Sequence, residues 1–383
     1  MKRIKRLICA LLILCFTLTA LCGCSKDDFI LNLTLPEEKS EETIEFEAMD
    51  EIQKIELLVS RMKEAFARGE RTVTFNFDCS EYLFDAYQIV YTDCPEYFWL
   101  TRSSGYEKSD TEVNTTIVFK PKVFLSEQEI QSMQSEIDNA TQRILSKLKS
   151  DATDYEKVLY IHDYIVDNTV YDTESADMVI NKEEDIPQEN RNSTGIYGSL
   201  VKGKAICSGY SAVFKYLADK LGLEVIRVSG TNKITGESHQ WNCVKVDGDF
   251  YHIDLTWDDK LSENPNEHLR DYEYFLINDE DLVLTHTISE GQNVPKCTAT
   301  KYNYFIYNGL YMEKYDFVTF LNVLSAKLPV KEISFKFGSA KECKKAYDEL
   351  FEVDRMFWFI PGITDTSVMA GISDSGKILN IEL

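Results

Sequence analysis

The sequence is short of several things, and each shortage narrows what it can be. After its N-terminal segment it has no second apolar run long enough to cross a bilayer, so the body of the chain is expected to sit in water. It is short of positive charge: 41 Lys and Arg face 64 Asp and Glu, a formal charge of −23. Nucleic-acid phosphates are neutralised by Lys and Arg, so a polyanion of this kind is not expected to bind nucleic acid. It has no CxxC pair, no Cys/His cluster at zinc spacing and no loop with oxygen ligands at calcium spacing. No cofactor and no metal are therefore expected. No internal repeat is evident.

What is present begins at residue 1. Lys2, Arg3, Lys5 and Arg6 precede an apolar run from Leu7 to Leu21, the pattern of a signal peptide. The run closes on Leu21-Cys22-Gly23-Cys24 and turns polar at Ser25. That tetrad resembles a bacterial lipobox, which implies a signal over 1–23 and lipidation of Cys24. The expectation is a chain lipid-anchored to the cell membrane on its extracytoplasmic face. Of ten cysteines, Cys9, Cys15 and Cys22 leave with the signal and Cys24 carries lipid. Cys79, Cys94, Cys207, Cys243, Cys297 and Cys343 remain. They are expected to be mostly buried free thiols, with room for one disulfide.

The segment 24–47 is acidic and reads as a spacer. Residues 48–150 read as an α+β region. Ile52, Ile55, Leu58, Met62 and Phe66 lie at helical spacing, Val73, Phe75 and Phe77 alternate, Ser80 is a candidate helix cap, and Ser126 to Glu129 form a capping box. Residues 151–298 form the central region. A helix starts at Asp154, and Thr173 to Ser193 reads as a loop. A helix after Cys207 carries Tyr210, Val213, Phe214, Leu217 and Leu221, with Gly222 at its C-cap. Strands at 239–246 and 250–257 flank the hairpin signal Asp247-Gly248. Residues 299–383 read as a small α+β region, with a hairpin turning at Asn308-Gly309.

A nucleophilic thiol needs help losing its proton, and a helix N-terminus or a neighbouring imidazolium supplies it. Cys207 stands where its helix begins, and its own N–H is a ready oxyanion donor. The two-residue turn at Asp247-Gly248 pairs Val246 with Asp249, so Trp241 opposes Asp254 and His239 lies one diagonal step from Asp254. Asp254 can then orient the His239 ring. The same register sets Cys243 opposite His252.

Three motifs carry a resemblance. The stretch Ile196 to Tyr210, ending Ala205-Ile206-Cys207-Ser208-Gly209-Tyr210, resembles the nucleophile motif of the transglutaminase-like superfamily. Ser238-His239-Gln240-Trp241-Asn242 resembles its histidine motif, and Tyr251 to Asp259 its aspartate motif. The resemblance implies an α+β fold with a papain-like core, a nucleophile helix packed on an antiparallel sheet, between flanking α+β regions. It implies Cys207 as nucleophile, His239 as general base and acid, and Asp254 as orienting carboxylate. Family members often have an acidic residue after the cysteine, and here it is Ser208.

Other residues carry blander expectations. His162 reads as a core histidine, His252 as structural, Trp241, Trp257 and Tyr210 as packing. Tyr171 and Tyr197 are minor candidates for an oxyanion hydroxyl, and Asp258-Asp259 reads as a solvated turn. The function expected is thiol-dependent acyl transfer on a peptide or protein substrate at the cell envelope, leaning to hydrolysis. A protein-crosslinking transglutaminase and a catalytically silent peptide-binding module are the alternatives.

Overall fold

The computed structural model describes residues 39–111, 114–181, 186–260, 269–352 and 368–383. The signal run and Cys24 lie outside the described residues. No helix among those described is long and apolar enough to cross a membrane.

The first region opens with α1 (Glu41–Ala48) and α2 (Glu51–Ala67), capped by Ser40 and by an Asp50/Gln53 capping box. Helix α1 corrects the reading of 24–47 as spacer throughout. Phe46 is buried and stacks on Phe77 with ring centroids 4.2 Å apart, so the fold begins before residue 48. Next come β1 (Val73–Phe75), α3 (Leu83–Asp93), β2 (Ser104–Asp110) and β3 (Thr115–Pro121), the strands forming an antiparallel sheet in the order β1-β3-β2. Ser80 does not cap α3. Its hydroxyl donates to Asp78 Oδ1 at 2.7 Å, and Tyr82 stands at the cap position. Leu58, Met62, Phe66, Phe75, Tyr87 and Ile117 share one buried core.

The central region starts with α4 (Glu127–Leu145) and α5 (Asp154–Asn168), each opened by a full capping box, Ser126/Glu129 and Thr153/Glu156. After β4 (Val170–Tyr171), residues expected to form a loop form α6 (Thr173–Ile180) and α7 (Gln188–Asn192). Their polar residues satisfy one another rather than water. Buried Asp172 caps α6 and accepts from the Ser175 and Ser193 hydroxyls at 2.6 Å each. A π turn at Gly198–Lys202 leads into β5 (Lys204–Ala205), parallel to β4, and then α8 (Cys207–Lys220).

Strands β6 (Val225–Asn232), β7 (Ser238–Val246) and β8 (Asp249–Ile253) follow. Asp247 and Gly248 both have positive φ, as a tight hairpin turn needs, and Val246↔Asp249 and Cys243↔His252 pair as counted from the turn. The second strand ends at Ile253, short of the expected Trp257. Asp254 leaves the ladder to cap α9 (Leu255–Asp258), accepting from the N–H groups of Thr256 and Trp257. Beyond it lie β9 (Asp259–Lys260), β10 (Leu269–Arg270), α10 (Asp279–Leu282) and β11 (His286–Ile288). The main sheet runs β11-β6-β7-β8, every pair antiparallel. Val244 and Val246 join Val213, Phe214 and Leu217 of α8 in one core, whereas Trp241 and Cys243 join Tyr274, Ile277 and Cys297 in another. This is the alternation of a strand covered on both faces.

The last region contains α11 (Tyr304–Tyr307), β12 (Tyr311–Met312), α12 (Phe317–Lys327), β13 (Glu332–Phe337), α13 (Ala340–Tyr347), β14 (Met369–Ile372) and β15 (Ile378–Glu382). The hairpin expected at Asn308-Gly309 is absent here. Residues 304–307 make a helical turn, Gly309 takes a positive φ after it, and β12 pairs in parallel with β13 instead.

Candidate active site

Cys207 is the first residue of α8. Its N-cap, Ile206, is extended and offers no side-chain acceptor; the Gly209 N–H donates to the Ile206 carbonyl at 2.8 Å, and the Cys207 and Ser208 N–H groups have no intrahelical acceptor. Among the six described cysteines, Cys207 alone is not buried. Gly209 lets this turn sit deep. A Cβ there would lie 2.4 Å from the Ser193 carbonyl oxygen and 2.8 Å from Ala205 Cβ, so any larger residue forces the helix start away. Arg227 on β6 straps the same turn from below. It donates to Ser208 O at 2.9 Å, Ser211 Oγ at 3.1 Å, Gln240 Oε1 at 3.1 Å and Thr92 O at 3.0 Å. Sequence reasoning missed Arg227, because an arginine in a strand carries no motif.

His239 and Asp254 meet, although Asp254 lies one residue past the end of the β7–β8 ladder. His239 Nε2 lies 2.5 Å from Asp254 Oδ2, and both residues are buried. Oδ1 of the same carboxylate takes the Thr256 and Trp257 N–H groups at 3.0 and 3.4 Å. The carboxylate is thus fixed at both oxygens. Burial alone would raise the Asp254 pKa, but the charge and hydrogen bond of His239, then those of His286, hold it well below the usual range. Burial opposes charge on His239 too. The Asp254 carboxylate outweighs it, with help from a hydrogen bond to Cys207, and the ring pKa is held up at about 10. Because Nε2 is taken by Asp254, Nδ1 is the nitrogen left for the thiol.

His286, at the far edge strand, is a member of the site that the sequence did not reveal. Its Nε2 lies 3.2 Å from Asp254 Oδ2 and its Nδ1 lies 2.8 Å from the Thr285 hydroxyl. An ionised carboxylate only accepts, so Nε2 carries the proton. No local signal marks it. It arrives only because β11 pairs with β6, setting His286 beside Asn232. His239, Asp254 and His286 place donor atoms within 4.8 Å of one another, as do Cys243, His252 and Cys297. In the first trio both rings direct Nε2 at one carboxylate oxygen, which is a hydrogen-bonded arrangement.

The other candidates sort as follows. His162 is a core histidine, with Asp163 at 3.0 Å and Asp258 at 3.1 Å. Asp258 is no solvated turn. It is fully buried and accepts the Tyr274 N–H at 2.8 Å, because the chain turns inward at α9. Tyr210 is buried, and its hydroxyl donates to Asp259. Trp241 stacks parallel to His239 at 6.0 Å, and Trp257 meets the ring edge-on at 6.3 Å. The Tyr197 hydroxyl donates to Glu136. Tyr171 lies on β4 beside β5, which leads to Cys207, and burial pushes its pKa up.

Residues 140–255 match the family model described as the transglutaminase-like superfamily. The chain carries a transglutaminase-like domain. The matched stretch spans α8, β6 to β8 and all of Cys207, His239 and Asp254, and it stops before His286. No curated protein matches the chain. Among solved structures the chain is similar to one described as a TGase, at 16% identity and a TM-score of 0.29, covering 53% of this chain and 54% of that one. It is similar to a Cytophaga hutchinsonii structure provisionally described as a cysteine protease, at 12% identity, a TM-score of 0.24, and 41% and 63% coverage. A third, from Parabacteroides distasonis and provisionally described as a protease, shares 9% identity with a TM-score of 0.21 and coverage of 40% and 39%. The chain spans less than two thirds of the length of each. Around the transglutaminase-like domain, the first and last regions build cores of their own.

Proposed function

We propose that this chain is a thiol-dependent acyl-transfer enzyme whose nucleophile is Cys207. The observation that carries the reading is His239, bound at one nitrogen by Asp254 and close enough to Cys207 at the start of α8 for the thiol to help hold up its pKa. The Cys207 sulfur attacks an amide carbonyl, and the first-turn N–H of Cys207 receives the developing oxyanion. The carbon–nitrogen bond breaks as the His239 imidazolium protonates the leaving nitrogen. A thioester on Cys207 remains. Neutral His239 then takes a proton from the second nucleophile, which releases the acyl group. Asp254 stabilises the imidazolium at each stage.

The acceptor sets the class. Water makes the chain a peptidase or amidase acting on a peptide or protein at the cell envelope, the reading we favour. A protein amine makes it a crosslinking transglutaminase. A catalytically silent peptide-binding module is the reading from another class. Incubating the chain with a glutamine-containing peptide and a labelled primary amine separates them: ammonia or a cleaved peptide without incorporated amine supports hydrolysis, incorporated amine supports transfer, and neither supports a silent module. We further propose that Cys24 carries the lipid that holds the chain on the extracytoplasmic face of the membrane. Metabolic labelling with an alkynyl fatty acid, lost in Cys24→Ala, tests that.

A further inference from the structure

The sheet carries a second group of reactive side chains that the acyl-transfer reading leaves unused. Cys243 on β7 and Cys297 are both fully buried, and their sulfurs lie 3.5 Å apart across 54 residues of chain. His252 faces Cys243 across the β7–β8 ladder, and the donor atoms of Cys243, His252 and Cys297 lie within 4.8 Å of one another. Asp279 closes the group. Its Oδ1 lies 3.0 Å from His252 Nε2, and its Oδ2 accepts the Cys297 N–H at 3.1 Å.

Two thiols and an imidazole are also three ligands for a soft cation, and the proton on the ring decides between the two chemistries. The Trp241 indole N–H can only donate, and it points at His252 Nδ1 at 3.3 Å. Nδ1 therefore holds the lone pair, and Nε2 carries the proton it gives to Asp279. A metal-bound imidazole needs its lone pair at the metal and an N–H on the far nitrogen. Here the Nδ1 lone pair is taken by the Trp241 N–H and Nε2 is spent on Asp279, so neither nitrogen is left for a metal.

The chain between β11 and Cys297 shows what joining the sulfurs achieves. From Ser289 to Cys297 it forms no helix or strand, and it runs as a strap from β11 to Cys243 on β7. Gln292 fastens it by two hydrogen bonds to Ser229 of β6, from N–H to Oε1 at 2.8 Å and from Nε2 to the carbonyl at 2.5 Å. Cys297 is the second fastening. The strap follows β11, whose first residue, His286, holds Asp254.

We propose that Cys243 and Cys297 are a dithiol–disulfide pair, whose oxidation covalently fastens this strap to β7. The oxidant is a disulfide. One thiol attacks it as a thiolate, forming a mixed disulfide and releasing one thiol. The second cysteine attacks the mixed disulfide and releases the other thiol. The two protons lost by Cys243 and Cys297 end on the two thiols released. Cross-linking across a long stretch of chain restricts the unfolded state, so the oxidised form is the more stable. The proposal is independent of the acyl-transfer reading.

The test uses the whole chain. It is incubated with oxidised glutathione in urea below its unfolding transition, so that buried thiols come within reach. Exchange is then stopped with acid, and the chain is unfolded in guanidinium chloride at about pH 8 with excess iodoacetamide present and mapped by mass spectrometry. The expected result is a Cys243–Cys297 linked peptide and a melting temperature higher by about 5 °C. Neither occurs in Cys243→Ala or Cys297→Ala, while Cys207 reacts with glutathione in all three. The mapping of the unsubstituted chain stands alone if either variant fails to fold. Alkylation of both cysteines as free thiols after oxidation overturns the proposal. So does a cross-link to a different cysteine, or one equivalent of zinc released from the purified chain by a thiol reagent.

Discussion

His286 Nε2 lies 3.2 Å from the Asp254 oxygen that also holds His239. One carboxylate thus serves two imidazoles, and each proton on them helps keep it ionised. His286 acts through Asp254, so it is a positioning residue in this account. His286→Ala is expected to lower kcat about tenfold with little change in KM, the size of effect seen when a partner behind a site is removed. The pH dependence of kcat is expected to shift with it. His286→Gln keeps an N–H for Asp254 and is expected to recover part of the loss. A purely structural role moves stability without moving the pH profile.

Gly209 gives a prediction of unusual sign. Glycine to alanine inside an exposed helix stabilises by about 1 kcal/mol. In α8 the added methyl meets the Ser193 carbonyl at 2.4 Å. Gly209→Ala is expected to destabilise by about 1–3 kcal/mol in urea unfolding. It is also expected to slow alkylation of Cys207, because the helix start must shift.

Arg227 is buried with hydrogen bonds to four acceptors that include Ser208 O and Gln240 Oε1. Arg227→Met leaves those acceptors unpaired and is expected to cost about 3 kcal/mol by urea unfolding. Lysine has no planar fork, so Arg227→Lys is expected to recover little of it.

The buried His162 gives the stability its pH dependence. Burial disfavours its charge, but Asp163 and Asp258 outweigh that and raise its pKa to about 9. Between about pH 6.5, where an unfolded histidine titrates, and pH 9, the folded chain holds a proton that the unfolded chain has lost. Stability from this group is therefore complete below that window and falls as pH rises through it, by at most about 3 kcal/mol. His239 falls in the same direction up to about pH 10. In urea titrations across this range, His162→Gln is expected to be less stable at pH 6.5 and to show a shallower decline.

Cys207 is legible in the sequence from its place at the start of a helical stripe, and His239 and Asp254 from their places on the two sides of a two-residue turn. Once Asp247-Gly248 is placed, the pairing of β7 with β8 follows as far as Asn242 and Ile253, and Asp254, the next residue, leaves the ladder and still reaches His239. His286 is not legible, since its approach depends on β11 pairing with a strand more than fifty residues earlier. Asp258 misleads for a related reason. Two adjacent acids read as solvent-facing until α9 turns one of them onto His162. The polar stretch after Tyr171 hides α6 and α7 because its serines answer a buried Asp172 rather than water. The capping box at Ser126 is readable and opens α4 as expected, and boxes at Asp50 and Thr153 open α2 and α5 in the same way.

The most direct test of the central claim is the rate at which iodoacetamide labels Cys207 at about pH 6.5, in the native chain and in the unfolded chain. An ordinary thiol is almost wholly protonated there and reacts slowly. The account predicts labelling of Cys207 at least about tenfold faster in the native chain, and loss of that advantage in His239→Ala. Native labelling no faster than in the unfolded chain contradicts it.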